Sequence, residues 1–199
     1  MKIPLRYQTT EFDCGPTALM NAVSFLFDIE TIPPEIPKHI STIGNDRCDP
    51  SGRAGWWGTS PDALCYAACW LNTFSRNTGF PLRCEPLKGG EVRLCPGSRL
   101  RECLEQGGAA LVSCWLDTPH YVTLTGLQGD NVQVFDPYYR EKQVPGECGQ
   151  FVFDRPKVCN RLIPAEHMDE TGRSECTMCD YDGRIAILLF KTGEARKLI

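Results

Sequence analysis

The sequence predicts an α+β domain in which a helical half comes first and an antiparallel sheet follows. Three observations carry this. Apolar residues recur at helical spacing in three stretches before residue 109. Runs rich in β-branched and aromatic residues dominate after it. Two of those runs are separated by a short Gly-containing stretch that reads as a hairpin.

Taken in order, residues 1–12 read as an extended lead-in. From Asp13 to about Phe27, the residues Ala18, Leu19, Ala22, Val23 and Leu26 fall on one helical face. Asp13 is placed to cap this helix, and Pro16 is tolerated because the first turn has no intrahelical donor to lose. Residues 30–58, with Pro33, Pro34, Pro37, Pro50 and the segment "GRAGWWG", read as a long loop holding a short helix. In "TSPDALCYAACWL", Ser60 can cap, Pro61 fits the first helical position and Asp62 complements the dipole. Cys65 and Cys69 lie one turn apart among Leu64, Ala68 and Leu71, and are expected in the core. "SRLRECLEQGG" gives a third helix, from Ser98 to the Gly107-Gly108 stop. The strands expected after it are "AALVSCWL", "HYVTLTG", "VQVFDP", "QFVF" and "RIAILLF". Residues 157–182 are polar and cysteine-containing, and read as an insertion within one domain spanning 1–199.

Composition narrows the function. The chain has 199 residues, 42% of them hydrophobic, enough for one sizeable core. A net charge of −4 without a dense basic stripe argues against a nucleic-acid partner. The longest strand-like apolar run, Ile185–Phe190, is too short to span a bilayer. The start "MKIPLRYQ" lacks the apolar stretch of a secretory signal, so a cytoplasmic protein is expected. Its twelve cysteines then read as free thiols, small core residues or ligands rather than a disulfide framework.

Only three histidines occur, His39, His120 and His167. His120 opens one strand of the expected hairpin and Asp136 closes the other. A three-residue loop, Leu127–Gly129, pairs Gly126 with Asp130, Leu124 with Val132, Val122 with Val134, and His120 with Asp136. Opposed residues share a face with Cβ atoms about 4.5–5.5 Å apart, so the imidazole and carboxylate would meet. A four-residue loop would send Asp136 to the other face. A histidine oriented by a carboxylate has a fixed tautomer and can act as a base.

Cys14 supplies a nucleophile. It stands where the first helix begins, between Asp13 and Gly15, and a helix start and a nearby imidazolium both favour the thiolate of a cysteine. Gly15 is expected to leave room for a substrate carbonyl, and the Cys14 backbone N–H can donate to an oxyanion. Gln8, six residues earlier, offers a second donor. Trp56 and Trp57, flanked by glycines, either line a substrate groove or cover the core. "CTMC", Cys176–Cys179, has the spacing of half a zinc site, which Cys159 and His167 would complete as a Cys₃His set. That spacing matches no standard finger. No cofactor is therefore expected, and structural zinc is the alternative.

Gln8, then Asp13-Cys14-Gly15 followed by Ala18-Leu19, then "HYVTLTG" and "VQVFDP", resembles the bacteriocin-processing, double-glycine leader peptidases of the papain-like cysteine peptidase superfamily. The resemblance covers roughly residues 5–145. It implies a papain-like fold whose helical half carries the Cys and whose sheet carries the His and Asp. By matched position it gives Cys14 as nucleophile, His120 as base, Asp136 as the group orienting it, and Gln8 in the oxyanion hole. Members acting on Gly-Gly leaders are usually fused to a transporter with an ATPase. This chain has no GxxxxGK[ST] phosphate loop, and Pro16-Thr17 is more like the free-standing relatives. The expected activity is hydrolysis of a peptide bond in a peptide or protein substrate. An acyltransferase with the same triad, or a catalytically idle peptide-binding module, are the alternatives.

Overall fold

The structure, a computed structural model, describes residues 1–143 and 148–193. Its helices are α1 (Cys14–Leu26), α2 (Glu35–Ile43), α3 (Pro61–Thr78), α4 (Arg99–Glu105) and α5 (Ala165–Met168). Its strands are β1 (Leu82–Lys88), β2 (Ala109–Leu116), β3 (Thr118–Gln128), β4 (Asn131–Phe135), β5 (Gln150–Phe151), β6 (Arg161–Pro164) and β7 (Ile185–Lys191). They form one seven-stranded sheet, in the order β1-β7-β2-β3-β4-β6-β5, with every neighbouring pair antiparallel. The architecture is α+β, with helices packed on the two faces.

One face of the sheet is covered by α1 and α3. Ala18, Leu19, Ala22 and Val23 of α1 pack with Leu64, Ala68 and Leu71 of α3 against Leu111, Ile187 and Leu189. The other face carries Leu100 and Leu104 of α4 and Met168 of α5 over Val112, Leu124, Val134 and Leu188. Strands in the middle are thus buried on both sides, which is why "IAILLF" is apolar without alternation. β1 was not evident from the sequence because Pro86 interrupts it. It is an edge strand, where the missing N–H is tolerated.

Helix ends follow the expected chemistry in α3. Ser60 Oγ accepts from Ala63 N at 3.1 Å, Pro61 takes the first position, and Gly79 closes the helix at φ 75°. Cys65 and Cys69 depart from expectation. The buried stripe of α3 runs through Leu64, Ala67, Ala68 and Leu71, which leaves Cys65 on its flank and Cys69 exposed. Residues 157–182, expected as an insertion, contribute β6 to the sheet and Met168, Cys176 and Met178 to the core.

Candidate active site

The first turn of α1 is held by three neighbours. The Asp13 carboxylate does not cap the helix. It folds back to accept from the backbone N–H of Thr9 at 3.2 Å and of Thr10 at 2.8 Å, and from both threonine hydroxyls. Turned that way, it leaves the positive end of the helix at Cys14 uncapped. Gly15 is buried against Thr59, whose Oγ1 lies 2.3 Å from where a Cβ would stand. Close packing against Thr59 therefore demands a glycine here whether or not a substrate passes nearby. Tyr121 on β3 donates its hydroxyl to Thr59 O at 3.2 Å, and Thr123 Oγ1 donates to Ala18 O at 2.9 Å. Together these fix the start of α1 against β3, one residue from His120.

The hairpin closes differently from the expected register. Its loop is two residues, Gly129-Asp130, and only Gly129 has a positive φ, 60°, as a type II′ turn requires. Gln128 pairs with Asn131 and Leu127 with Val132. A bulge between Leu124 and Gly126 then moves the pairing, so that Leu124 faces Val134 and Thr123 faces Phe135. The shorter loop alone would have turned Asp136 to the opposite face, and the extra residue of the bulge turns it back. His120 and Asp136 are therefore diagonal neighbours on one face, not an opposed pair.

They still meet. His120 Nε2 lies 2.9 Å from Asp136 Oδ1, with both side chains almost wholly buried. Tyr138 N donates to the same oxygen at 2.9 Å. Arg161 Nη2 donates to Oδ2 at 2.7 Å, an ion pair with both side chains 1% exposed. Asn160 closes the backbone around Asp136, accepting from its N–H and donating to its carbonyl, each at 2.8 Å. Burial disfavours the charge on Asp136, but His120, Arg161 and the Tyr138 N–H outweigh it and hold the carboxyl below its usual range. Burial likewise opposes charge on His120. Hydrogen bonds to Asp136 and Cys14 outweigh it and raise the imidazole to about 9. His120 thus has Asp136 and Cys14 as side-chain partners, and Cys14 is itself buried.

Gln8 reaches the same region from the lead-in. Arg6 is clamped to Asn21 of α1 by two hydrogen bonds, at 2.7 and 2.8 Å, and Gln8 N donates to Pro137 O at 2.8 Å. The Gln8 amide already donates to Thr10 O at 2.8 Å, while its Oε1 is buried without a partner among the described residues. Trp56 and Trp57 are half exposed, and the Trp56 ring stands 5.7 Å from that of Phe12, just ahead of Cys14. The Trp56 ring thus lies next to the residue two places before the nucleophile position, while both indoles stay open to solvent.

The Cys₃His set is not assembled. Cys159 is buried with Val152 and Leu162, apart from the core that holds Cys176. Among the described residues, no group of three or more His, Cys, Asp or Glu side chains is arranged to hold a metal. Cys176 instead neighbours Cys148, whose thiol is lowered to about 7 chiefly by a hydrogen bond from Cys176. Arg161 and Asn160 were missed by sequence reasoning. Neither periodicity nor spacing marks an arginine that opens a four-residue strand, and only the β4–β6 pairing of Val134 with Arg161 brings it to Asp136.

Among the described residues, no helix is long and apolar enough to cross a membrane. No protein-family model matches the chain, and no curated protein does. Among solved structures, it is similar to a protein from Bacillus anthracis described as a C39-like peptidase. The identity is 14% and the TM-score 0.53, over 96% of each chain. It is also similar to a double-glycine-motif protease from an AMS/PCAT transporter, solved in complex with the leader peptide. There the identity is 15% and the TM-score 0.46, over 96% of this chain and 93% of that one. The order of elements, the single antiparallel sheet and the first of these likenesses together give the chain the fold of the C39 papain-like peptidases.

Proposed function

We propose that the protein is a cysteine peptidase in which Cys14 attacks a peptide carbonyl. The observation that carries this is His120, buried between Cys14 and Asp136 and favoured in its charged form by both. An imidazolium held there stabilises a thiolate beside it. The sulfur adds to the carbonyl carbon, and the oxyanion that forms accepts from the Cys14 backbone N–H at the uncapped helix start. The remaining amide hydrogen of Gln8 is the second donor. His120 passes its proton to the departing amine, the C–N bond breaks, and a thioester remains on Cys14. Water, deprotonated by His120, then hydrolyses the thioester. Asp136 stays ionised throughout and fixes the ring. Trp56, Trp57 and Phe12 offer apolar surface for an extended peptide beside the nucleophile.

The test is to incubate the protein and its Cys14→Ala variant with a diverse peptide library and to identify products by mass spectrometry. New termini at defined bonds, absent with Cys14→Ala, are expected. Ligated products in place of cleaved ones would assign an acyltransferase on the same triad. Binding of peptides with neither product would replace the enzyme with a peptide-binding module.

A further inference from the structure

We propose that Arg161 is a positioning residue of this site, fixing the Asp136 carboxylate so that Oδ1 stays on His120. The inference rests on the peptidase reading and adds to it a residue outside the motif that suggested it. Arg161 opens β6 and is among the largest fully buried side chains of the protein. Of its five donors, Nη2 goes to Asp136 Oδ2 at 2.7 Å, while among the described residues Nη1 reaches only the Cys176 sulfur, at 4.0 Å. Nε is buried and has no partner among the described residues. The guanidinium plane lies over the Phe151 ring, its carbon 4.5 Å from the centroid.

A buried arginine with an unmet donor is a poor way to stabilise a fold, since an apolar side chain of similar size would avoid desolvating a charge. What the arginine does achieve is specific to Asp136. With Tyr138 N and His120 on Oδ1 and Arg161 on Oδ2, both carboxylate oxygens are occupied and the plane cannot rotate. The groups facing Asp136 are His120 from β3, Arg161 from β6 and the thiol of Cys114 from β2. Cys176 stands behind the guanidinium, and Cys14 acts through His120. Arg161 is the only permanently charged cation among them, so it keeps the carboxylate ionised whichever state His120 is in. Removing it leaves Oδ2 bare in a dry site and favours a protonated Asp136, which releases His120 from its orientation.

The sign of the effect follows. Loss of the cation raises the pH at which Asp136 protonates, so the acid limb of Cys14 reactivity moves upward. The readout is the rate of Cys14 alkylation by iodoacetamide from pH 4.5 to 9, by peptide mapping, with the exposed Cys95 as internal reference. Arg161→Met and Arg161→Gln should both shift the limb upward by about one pH unit, slowing Cys14 by up to about tenfold at the acid end of the range, with little change at pH 8.5. The glutamine variant keeps a donor to Oδ2 without the charge, and decides the matter if the methionine variant does not fold. Asp136→Asn combined with either change should be no slower than Asp136→Asn alone. A folded variant that tracks the parent protein across this range would overturn the inference, as would a full further tenfold loss in the double variants. If Cys14 of the unaltered protein reacts no faster than Cys95, the peptidase reading itself fails, and this role of Arg161 with it.

Discussion

His120 is bounded by two groups that both prefer it charged, the Asp136 carboxylate on Nε2 and the Cys14 thiol beyond it. With the imidazole raised to about 9, it carries its proton throughout the neutral range and yields it only in mild alkali. Cys14 should therefore alkylate readily at pH 6, and His120→Ala should slow that reaction at least about tenfold. Cys148, half buried and lowered to about 7 by its Cys176 neighbour, is the competing thiol. Its rate should not change in His120→Ala. Peptide mapping after brief iodoacetamide treatment separates the two, and equal effects on both would point to general unfolding. Gln8 gives a second test at this scale. Its alanine variant should lose roughly 10²-fold in turnover, the usual cost of one oxyanion donor. Stability should fall little, because only one exposed hydrogen bond, to Thr10 O, is lost and the buried Oε1 has no partner among the described residues. An unchanged rate would assign the oxyanion to other donors.

At the scale of elements, the sequence spoke clearly where a local rule operates and poorly where pairing partners are distant. α3 was legible from Ser60-Pro61 to its end, because a cap, a proline and an amphipathic stripe all act within one segment. Asp13 misled because a carboxylate at that place can serve either the helix ahead or the turn behind, and Thr9 and Thr10 draw it backward. The hairpin was legible as a hairpin, but its loop was expected as Leu127–Gly129, although Gly129-Asp130 also suits the two-residue turn that forms. The bulge that restores the face of Asp136 does leave a mark, Gly126, the one glycine within β3, but a glycine does not say how far it shifts the register. Gly15 also packs against Thr59, forty-four positions away, a demand that the local sequence does not show. Gly15→Ala should therefore destabilise the protein by about 1–3 kcal/mol, as overpacking does. It should also slow Cys14 alkylation by displacing the first turn of α1, and Thr59→Gly should recover part of both. Urea unfolding midpoints check it. A Gly15→Ala protein as stable as its parent would mean that Thr59 yields freely.

Across the whole molecule, β3 is the seam between two cores, and the site is assembled over it. Cys14 comes from the helical face, while Asp136 and Arg161 belong with the core behind the sheet. Order at the site is thus coupled to docking of both layers, and the charge on His120 should be visible in global stability. Its folded pKa of about 9 lies above the usual 6.5, so folding is favoured while the group is protonated. That contribution is complete below pH 6.5 and is lost as pH rises through about 9. At about 1.36 kcal/mol per unit over this interval it amounts to about 3 kcal/mol. Cys148 pulls the other way. Its lowered pKa adds stability as the pH rises above about 7. The raised thiols of Cys176, Cys84, Cys103 and Cys114 oppose folding in alkali, so the raw slope mixes all of these with the histidine. The difference between the parent protein and His120→Gln isolates the histidine, since these thiols are common to both. Urea unfolding at pH 6 and pH 9.5 should show the parent losing about 3 kcal/mol more than the variant over that range. Parallel behaviour of the two proteins would mean that the Cys14–His120–Asp136 set does not hold a protonated imidazole in the folded state.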